Sequence, residues 1–86
     1  MYDKIEIYTG PHCNFCVLAK NLLNKNNLEF EEIKLEIQPN RRTEMLKRTN
    51  GKKTIPQIFI NDKYIGGYSE LHYLFLNNNL KNFLNK

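Results

Sequence analysis

The sequence carries only two cysteines in 86 residues, Cys13 and Cys16, and no second CxxC. Closed zinc sites take four ligands, usually as two spaced pairs. A zinc reading would have to recruit the chain's two histidines, His12 and His72, which form no second pair, so no metal is expected. No apolar run approaches the roughly 18 residues of a membrane helix. Met1-Tyr2-Asp3-Lys4 leads almost directly into a strand pattern, leaving no room for a basic region followed by an apolar stretch. A soluble, cytoplasmic protein with no membrane association is the expectation. There is also no internal repeat, no low-complexity segment and no stretch that reads as a linker. The chain is therefore read as one domain over residues 1–86.

A one-signed charge cluster is missing too. The net charge is +4, from 13 Lys and Arg against 9 Asp and Glu, but the cations are spread along the chain and interleaved with Glu. A nucleic-acid surface gathers its charge on one face or helix, so no nucleic-acid partner is expected. A small anionic ligand fits the excess better, and most of the lysines read as solvated surface.

What is present is a regular alternation of strand and helix patterns. Lys4-Ile5-Glu6-Ile7-Tyr8 has strand period, with Ile5 and Ile7 on one face. Thr9-Gly10-Pro11-His12 is a loop, after which Phe15, Leu18, Ala19, Leu22 and Leu23 recur at helical spacing as far as Asn26-Asn27. Leu28-Glu29-Phe30 and Ile33-Lys34-Leu35-Glu36-Ile37 alternate out of step with one another, which predicts a strand with an irregularity near Glu31-Glu32. Pro39 breaks the chain, Asn40 is a candidate cap for a helix running to about Arg48, and Asn50-Gly51 ends it. Gln57-Ile58-Phe59-Ile60 and Lys63-Tyr64-Ile65, joined by Asn61-Asp62, form a hairpin. After Gly66-Gly67, Ser69 is a candidate cap for a helix carrying Leu71, Leu74 and Phe75. Leu80, Phe83 and Leu84 make a last helical patch. The order β-α-β-α-β-β-α-α predicts an α/β fold, a four-stranded mixed sheet flanked by helices.

The thiols lie between the first strand pattern and the first helix pattern. A cysteine at a helix N-terminus has unpaired N–H groups and the positive end of the helix dipole beside it, which favours the reactive thiolate. Cys13 occupies that position, so it is the expected nucleophile. Cys16, one turn in, is the expected resolving thiol. A CxxC between strand and helix reads as redox chemistry.

The Ile-Tyr-Thr before the loop, the CxFC pair, Thr54-Ile55-Pro56-Gln57-Ile58-Phe59-Ile60, and Gly66-Gly67 followed by Ser69-Glu70-Leu71 together resemble the bacterial dithiol glutaredoxins over nearly the whole chain. The resemblance implies a thioredoxin-like fold, glutathione as reducing co-substrate, Pro56 as a cis-proline beside the thiols and Ile55 as the residue whose backbone pairs with the tripeptide. An extended residue before proline suits that role, since it can offer N–H and C=O to an added strand. By the same resemblance Gly67, Tyr68 and Ser69 hold the γ-glutamyl end, consistent with the anion affinity of a helix N-terminus.

Two positions depart from the family pattern. Asn14 stands where proline usually follows the first cysteine, and Gly10 where a lysine commonly stands. The glycine-end carboxylate of glutathione must then find another cation, with Arg42, Lys52 and Lys53 as candidates and Arg42 and Lys53 taken into the expected site.

The implied activity is glutathione-dependent reduction of glutathione mixed disulfides and protein disulfides, by a monomer whose partners are glutathione and disulfide-bearing or glutathionylated proteins. The alternative is a dimer that holds a [2Fe-2S] cluster through the first cysteine and bound glutathione. A third possibility, a redoxin fed by thioredoxin reductase, is disfavoured by the Tyr68-Ser69 glutathione signature.

Overall fold

The computed structural model describes residues 3–84. Strands β1 (Ile5–Thr9), β2 (Glu31–Lys34), β3 (Gln57–Ile60) and β4 (Lys63–Gly66) form one sheet in the order β2-β1-β3-β4. β1 runs parallel to β2 and antiparallel to β3, and β3 runs antiparallel to β4. Helices α1 (Asn14–Lys25), α2 (Arg41–Arg48) and α3 (Tyr68–Leu76) flank this mixed sheet. The last helix of the expected order is instead a 3₁₀ turn, Leu80–Phe83. Asn78 enters the left-handed region (φ 56°) and ends α3, and the four residues of the final segment suit the tighter, shorter helix.

β1 is one of the two interior strands, and all five of its residues are buried. On one face Ile5 and Ile7 pack with Ile58, Ile60, Ala19, Leu23 and Leu71, under α1 and α3. On the other, Tyr8 packs with Phe59, Ile33, Leu35 and Met45, under α2. Each such large side chain, fully buried, is worth roughly 1.5–3 kcal/mol. Alternation also places Glu6 on the α2 face, only 7% exposed. A buried carboxylate must be paired, and Arg48 supplies the partner: its Nη2 donates to Glu6 at 2.9 Å and its Nη1 to the Tyr8 hydroxyl at 3.0 Å. The guanidinium lies 3.8 Å from the Phe59 ring centroid. Burial works against the Arg48 charge, but the hydrogen bonds to Glu6 and Tyr8 outweigh it and hold its pKa above the ordinary value. Tyr8 also donates to Glu44, which Arg41 grips at 2.7 Å.

Three local expectations are corrected. β2 is only Glu31–Lys34. Leu28–Phe30 precede it, and Leu35–Ile37 turn back at once, with the Gln38 N–H bonded to the Lys34 carbonyl at 2.8 Å. The buried stripe of α1 is Cys16, Ala19 and Leu23, which leaves Phe15 and Leu18 exposed. Asn40 precedes α2 in helical conformation and makes no capping side-chain bond, because an αR residue does not aim its side chain back at the helix N–H groups. The hairpin is as expected: Asn61 and Asp62 have φ of 51° and 68°, the signature of a tight primed turn.

Candidate active site

Strand directions bring the chemistry to one end of the sheet. β3 opposes β1 and β4 opposes β3, so the carboxyl ends of β1 and β4 and the amino end of β3 lie together. From these three places come the thiols, the Ile55-Pro56 step and the Gly66-Gly67 turn.

Cys13 is the residue before the first turn of α1, with extended backbone (φ −116°, ψ 99°), and its Sγ accepts from the Cys16 N–H at 3.2 Å. The two cysteines are joined as a disulfide, their Cα atoms 5.2 Å apart. Cys16 is buried at 2% exposure, whereas Cys13 is partly exposed. An incoming disulfide therefore meets Cys13 first. The loop before it is kept compact at Gly10, where a Cβ would stand 2.7 Å from Ile55 Cδ1. The Cys13 Sγ lies 3.8 Å from the Ile55 carbonyl oxygen, and the Ile55–Pro56 peptide is cis.

Beside the thiols runs a groove of about 320 Å³. Ile55 and Pro56 form one wall and Gly67, Tyr68 and Ser69 another, with Phe15 from the CxxC itself at its edge. Tyr68 stacks on Phe15 at 6.0 Å between centroids and on His72 at 5.4 Å. A Cβ at Gly67 would stand 3.3 Å from the Pro56 carbonyl oxygen, so the glycine lets the two walls approach.

Ser69 is not the helix cap. α3 begins at Tyr68, and Glu70 reaches back so that its Oε1 accepts from the Gly67 N–H at 2.8 Å. A Gly-x-x-Glu spacing at a helix start is the signal that would have found this, since a Glu at the third helical position can serve the cap N–H whatever the cap residue is. Of the three candidate cations, Lys52 lines the groove, while Arg42 and Lys53 are not among its lining residues. Lys52 and Thr54 line it and Lys53 between them does not. Arg42 is exposed on α2, whose inward residue is Met45. Gln57, Tyr64 and Glu70 also line the groove and were not read from the sequence as part of it. Burial and the nearby Glu70 carboxylate raise the Tyr64 hydroxyl pKa.

Near the same end, Thr9 and Lys20 donate to Glu32 at 2.8 and 2.9 Å. Burial alone would raise the Glu32 pKa, but these bonds outweigh it and leave it lowered.

The glutaredoxin family model matches residues 5–65. Glutaredoxin 3 of Escherichia coli K12 is 41% identical over 70 residues, 81% of this chain and 83% of that one. A glutaredoxin of Neisseria meningitidis serogroup B is 34% identical over 82 residues, 94% of this chain and 95% of that one. The chain belongs to the glutaredoxin family. The solution structure of the Brucella melitensis glutaredoxin superposes with a TM-score of 0.78 at 40% identity, covering 94% of this chain and 87% of that one. The family places the sheet and helices in the thioredoxin-like fold and makes the Cys13–Cys16 pair a thiol–disulfide oxidoreductase centre. Family members use glutathione as reductant. Among the described residues no group of three or more His, Cys, Asp and Glu is arranged to hold a metal ion, and no helix is long and apolar enough to cross a membrane.

Proposed function

We propose that the protein is a glutathione-dependent disulfide reductase in which Cys13 attacks, Cys16 resolves, and the groove beside them binds glutathione. The observation that carries this reading is the position of the Cys13 Sγ at a helix N-terminus and 3.8 Å from the Ile55 carbonyl at the groove wall. With the pair reduced, the Cys16 N–H that now meets Cys13 Sγ at 3.2 Å would bond to a thiolate, a charge-assisted contact about twice as strong as a neutral one. Helix N–H groups and dipole thus favour ionisation of Cys13 over Cys16.

For a glutathionylated substrate, the Cys13 thiolate attacks the glutathione sulfur. The Cys13–glutathione disulfide forms and the substrate leaves as a thiolate. A second glutathione thiolate then attacks that disulfide, restoring Cys13 and releasing oxidised glutathione. For a protein disulfide, Cys13 forms the mixed disulfide, and Cys16, held a helical turn away, displaces the substrate and closes the Cys13–Cys16 disulfide. Two glutathione molecules return that pair to dithiol.

Glutathione fits the groove by its chemistry. Its peptide backbone can pair with Ile55, its γ-glutamyl carboxylate can meet N–H groups at the start of α3 at Tyr68 and Ser69, and its glycine carboxylate can meet Lys52 in place of Arg42 or Lys53. The test is a coupled assay with glutathione, glutathione reductase and NADPH on a glutathione mixed disulfide. NADPH consumption that saturates with the mixed disulfide is expected. Turnover with a thioredoxin reductase system but not with glutathione would overturn the reading.

A further inference from the structure

A second cleft continues from the groove away from the thiols. It has a volume of about 440 Å³ and lies between β4, α3 and the terminal 3₁₀ turn. The two cavities share Tyr64, Ile65, Ser69 and Glu70 as a common ridge. Beyond that ridge the second is walled by Tyr73, Leu74 and Phe83, so it changes from a peptide-polar lining to a mainly aromatic and aliphatic one. The far wall is fixed, because Asn61 Nδ2 donates to the Phe83 carbonyl at 2.7 Å and ties the terminal turn to the β3–β4 hairpin.

Its composition is unusual for a surface. In a helix with one apolar stripe, the outer face is polar. α3 instead buries Leu71 and still leaves Tyr73 at 61% and Leu76 at 71% exposure, with Glu70 as its one charged residue. β4 is an edge strand, and such an edge offers free N–H and C=O groups to an extended chain.

We propose that this cleft is a side-chain subsite for disulfide-bearing protein substrates, receiving an aromatic or large aliphatic residue that flanks the substrate's half-cystine. The inference rests on the reading that an extended chain occupies the groove beside Cys13. A tripeptide with its cysteine in the middle has no residue beyond the first neighbour on each side. A protein substrate whose cysteine is bonded to Cys13 continues past that neighbour, and continuity across the Tyr64–Glu70 ridge leads it into the second cleft. The second residue from the half-cystine is therefore the first that a protein substrate has and such a tripeptide lacks. Its volume falls within the range of about 300–1,000 Å³ typical of ligand pockets.

The experiment uses two pairs of peptides with an intramolecular disulfide, the members of each pair identical except for Phe or Ser at the second residue outside the loop, one pair for each side. kcat/KM is measured on the full-length protein with glutathione, glutathione reductase and NADPH, together with turnover of a small glutathione mixed disulfide. Burial of a Phe side chain is expected to favour the Phe peptide by about tenfold or more on one side of the loop. Tyr73→Ser removes an exposed ring and should bring the Phe peptide down to the level of the Ser peptide. Tyr73→Phe should keep the preference, and both variants should turn over the small mixed disulfide at the wild-type rate. Equal kcat/KM for the wild type on Phe and Ser peptides overturns the subsite, as does an equal loss on both peptides in Tyr73→Ser. No turnover of the small mixed disulfide by the wild type would instead overturn the glutathione reading itself.

Discussion

The α2 face of the sheet and its thiol end handle polar groups in opposite ways. Under α2, each partly buried charge has found a partner: Glu6 with Arg48, Glu44 with Arg41, and Tyr8 between them. At the thiol end, Lys52 lines the groove with no ion-pair partner among the described residues. The apolar groups differ likewise, with Tyr8 and Phe59 fully enclosed while Phe15 beside the thiols is 58% exposed and Tyr73 in the adjoining cleft 61%. A matched network has no valence left for a ligand, so its effect is on stability. The unmatched cation and open rings are what a substrate can use.

The comparison breaks first at the thiols. Cys13→Ser should abolish turnover while leaving the fold intact, because the alcohol is not ionised near neutral pH. Residual activity above about a tenth of wild type would mean that Cys13 is not the nucleophile.

The next largest effect should fall on stability alone. Arg48→Ala leaves the Glu6 carboxylate buried without its partner, at a cost of about 3 kcal/mol. Denaturant titration should show that loss, with the activity of the folded fraction little changed. A variant as stable as wild type would show that the pair contributes nothing net.

Lys52→Gln should do the reverse. Thermal stability should stay within about 0.5 kcal/mol, while the KM for glutathione mixed disulfides rises several-fold and becomes less sensitive to salt. If Arg42→Gln or Lys53→Gln has that effect and Lys52→Gln has none, the glycine-end carboxylate binds elsewhere.

The smallest effect is on acid stability. Glu32 and Glu44 have carboxyl pKa values lowered from the ordinary 4.5. For Glu44 the first cause is the Arg41 hydrogen bond, and for Glu32 the bonds from Lys20 and Thr9 overcome the effect of burial. A lowered folded pKa contributes stability above the unfolded value, and that stability is lost as pH falls through the folded one. Wild type should therefore lose stability progressively below about pH 4.5, and Glu32→Gln should show a shallower loss over the same range. An unchanged pH profile would remove Glu32 from the account.

Much of this was legible in the sequence where one physical rule decided the outcome. Alternating and helical periods gave the order of elements, and Asn61-Asp62 gave the hairpin. The CxxC between strand and helix placed Cys13 before α1. Most of the readings that failed depended on neighbours distant in sequence, whereas the Ser69 cap failed on the local Gly67-x-x-Glu70 spacing. Phe15 and Leu18 look like core by spacing, but Cys16, Ala19 and Leu23 face the sheet, a rotation that the packing against β1 and α3 decides. Ser69 looks like a cap by type, yet Glu70 serves the Gly67 N–H. Arg42, Lys52 and Lys53 are equivalent as charges, and only the placement of α2 and of the segment after it separates them. Nothing local in the sequence shows that Gly10 abuts Ile55 Cδ1, a contact between segments 45 residues apart.

The division of labour between the two thiols is the centre of the account, and Cys16→Ser tests it most directly. The measurement is the ratio of activity on a glutathione mixed disulfide to activity on an intramolecular protein disulfide, for wild type and variant, at fixed glutathione concentration and pH. The account predicts that the variant keeps the first activity and loses most of the second. Glutathione can release itself from Cys13, but a tethered protein needs a thiol held at high effective concentration. Loss of both activities together in a folded variant would contradict it, because Cys16 would then be required in the glutathione half-reaction as well.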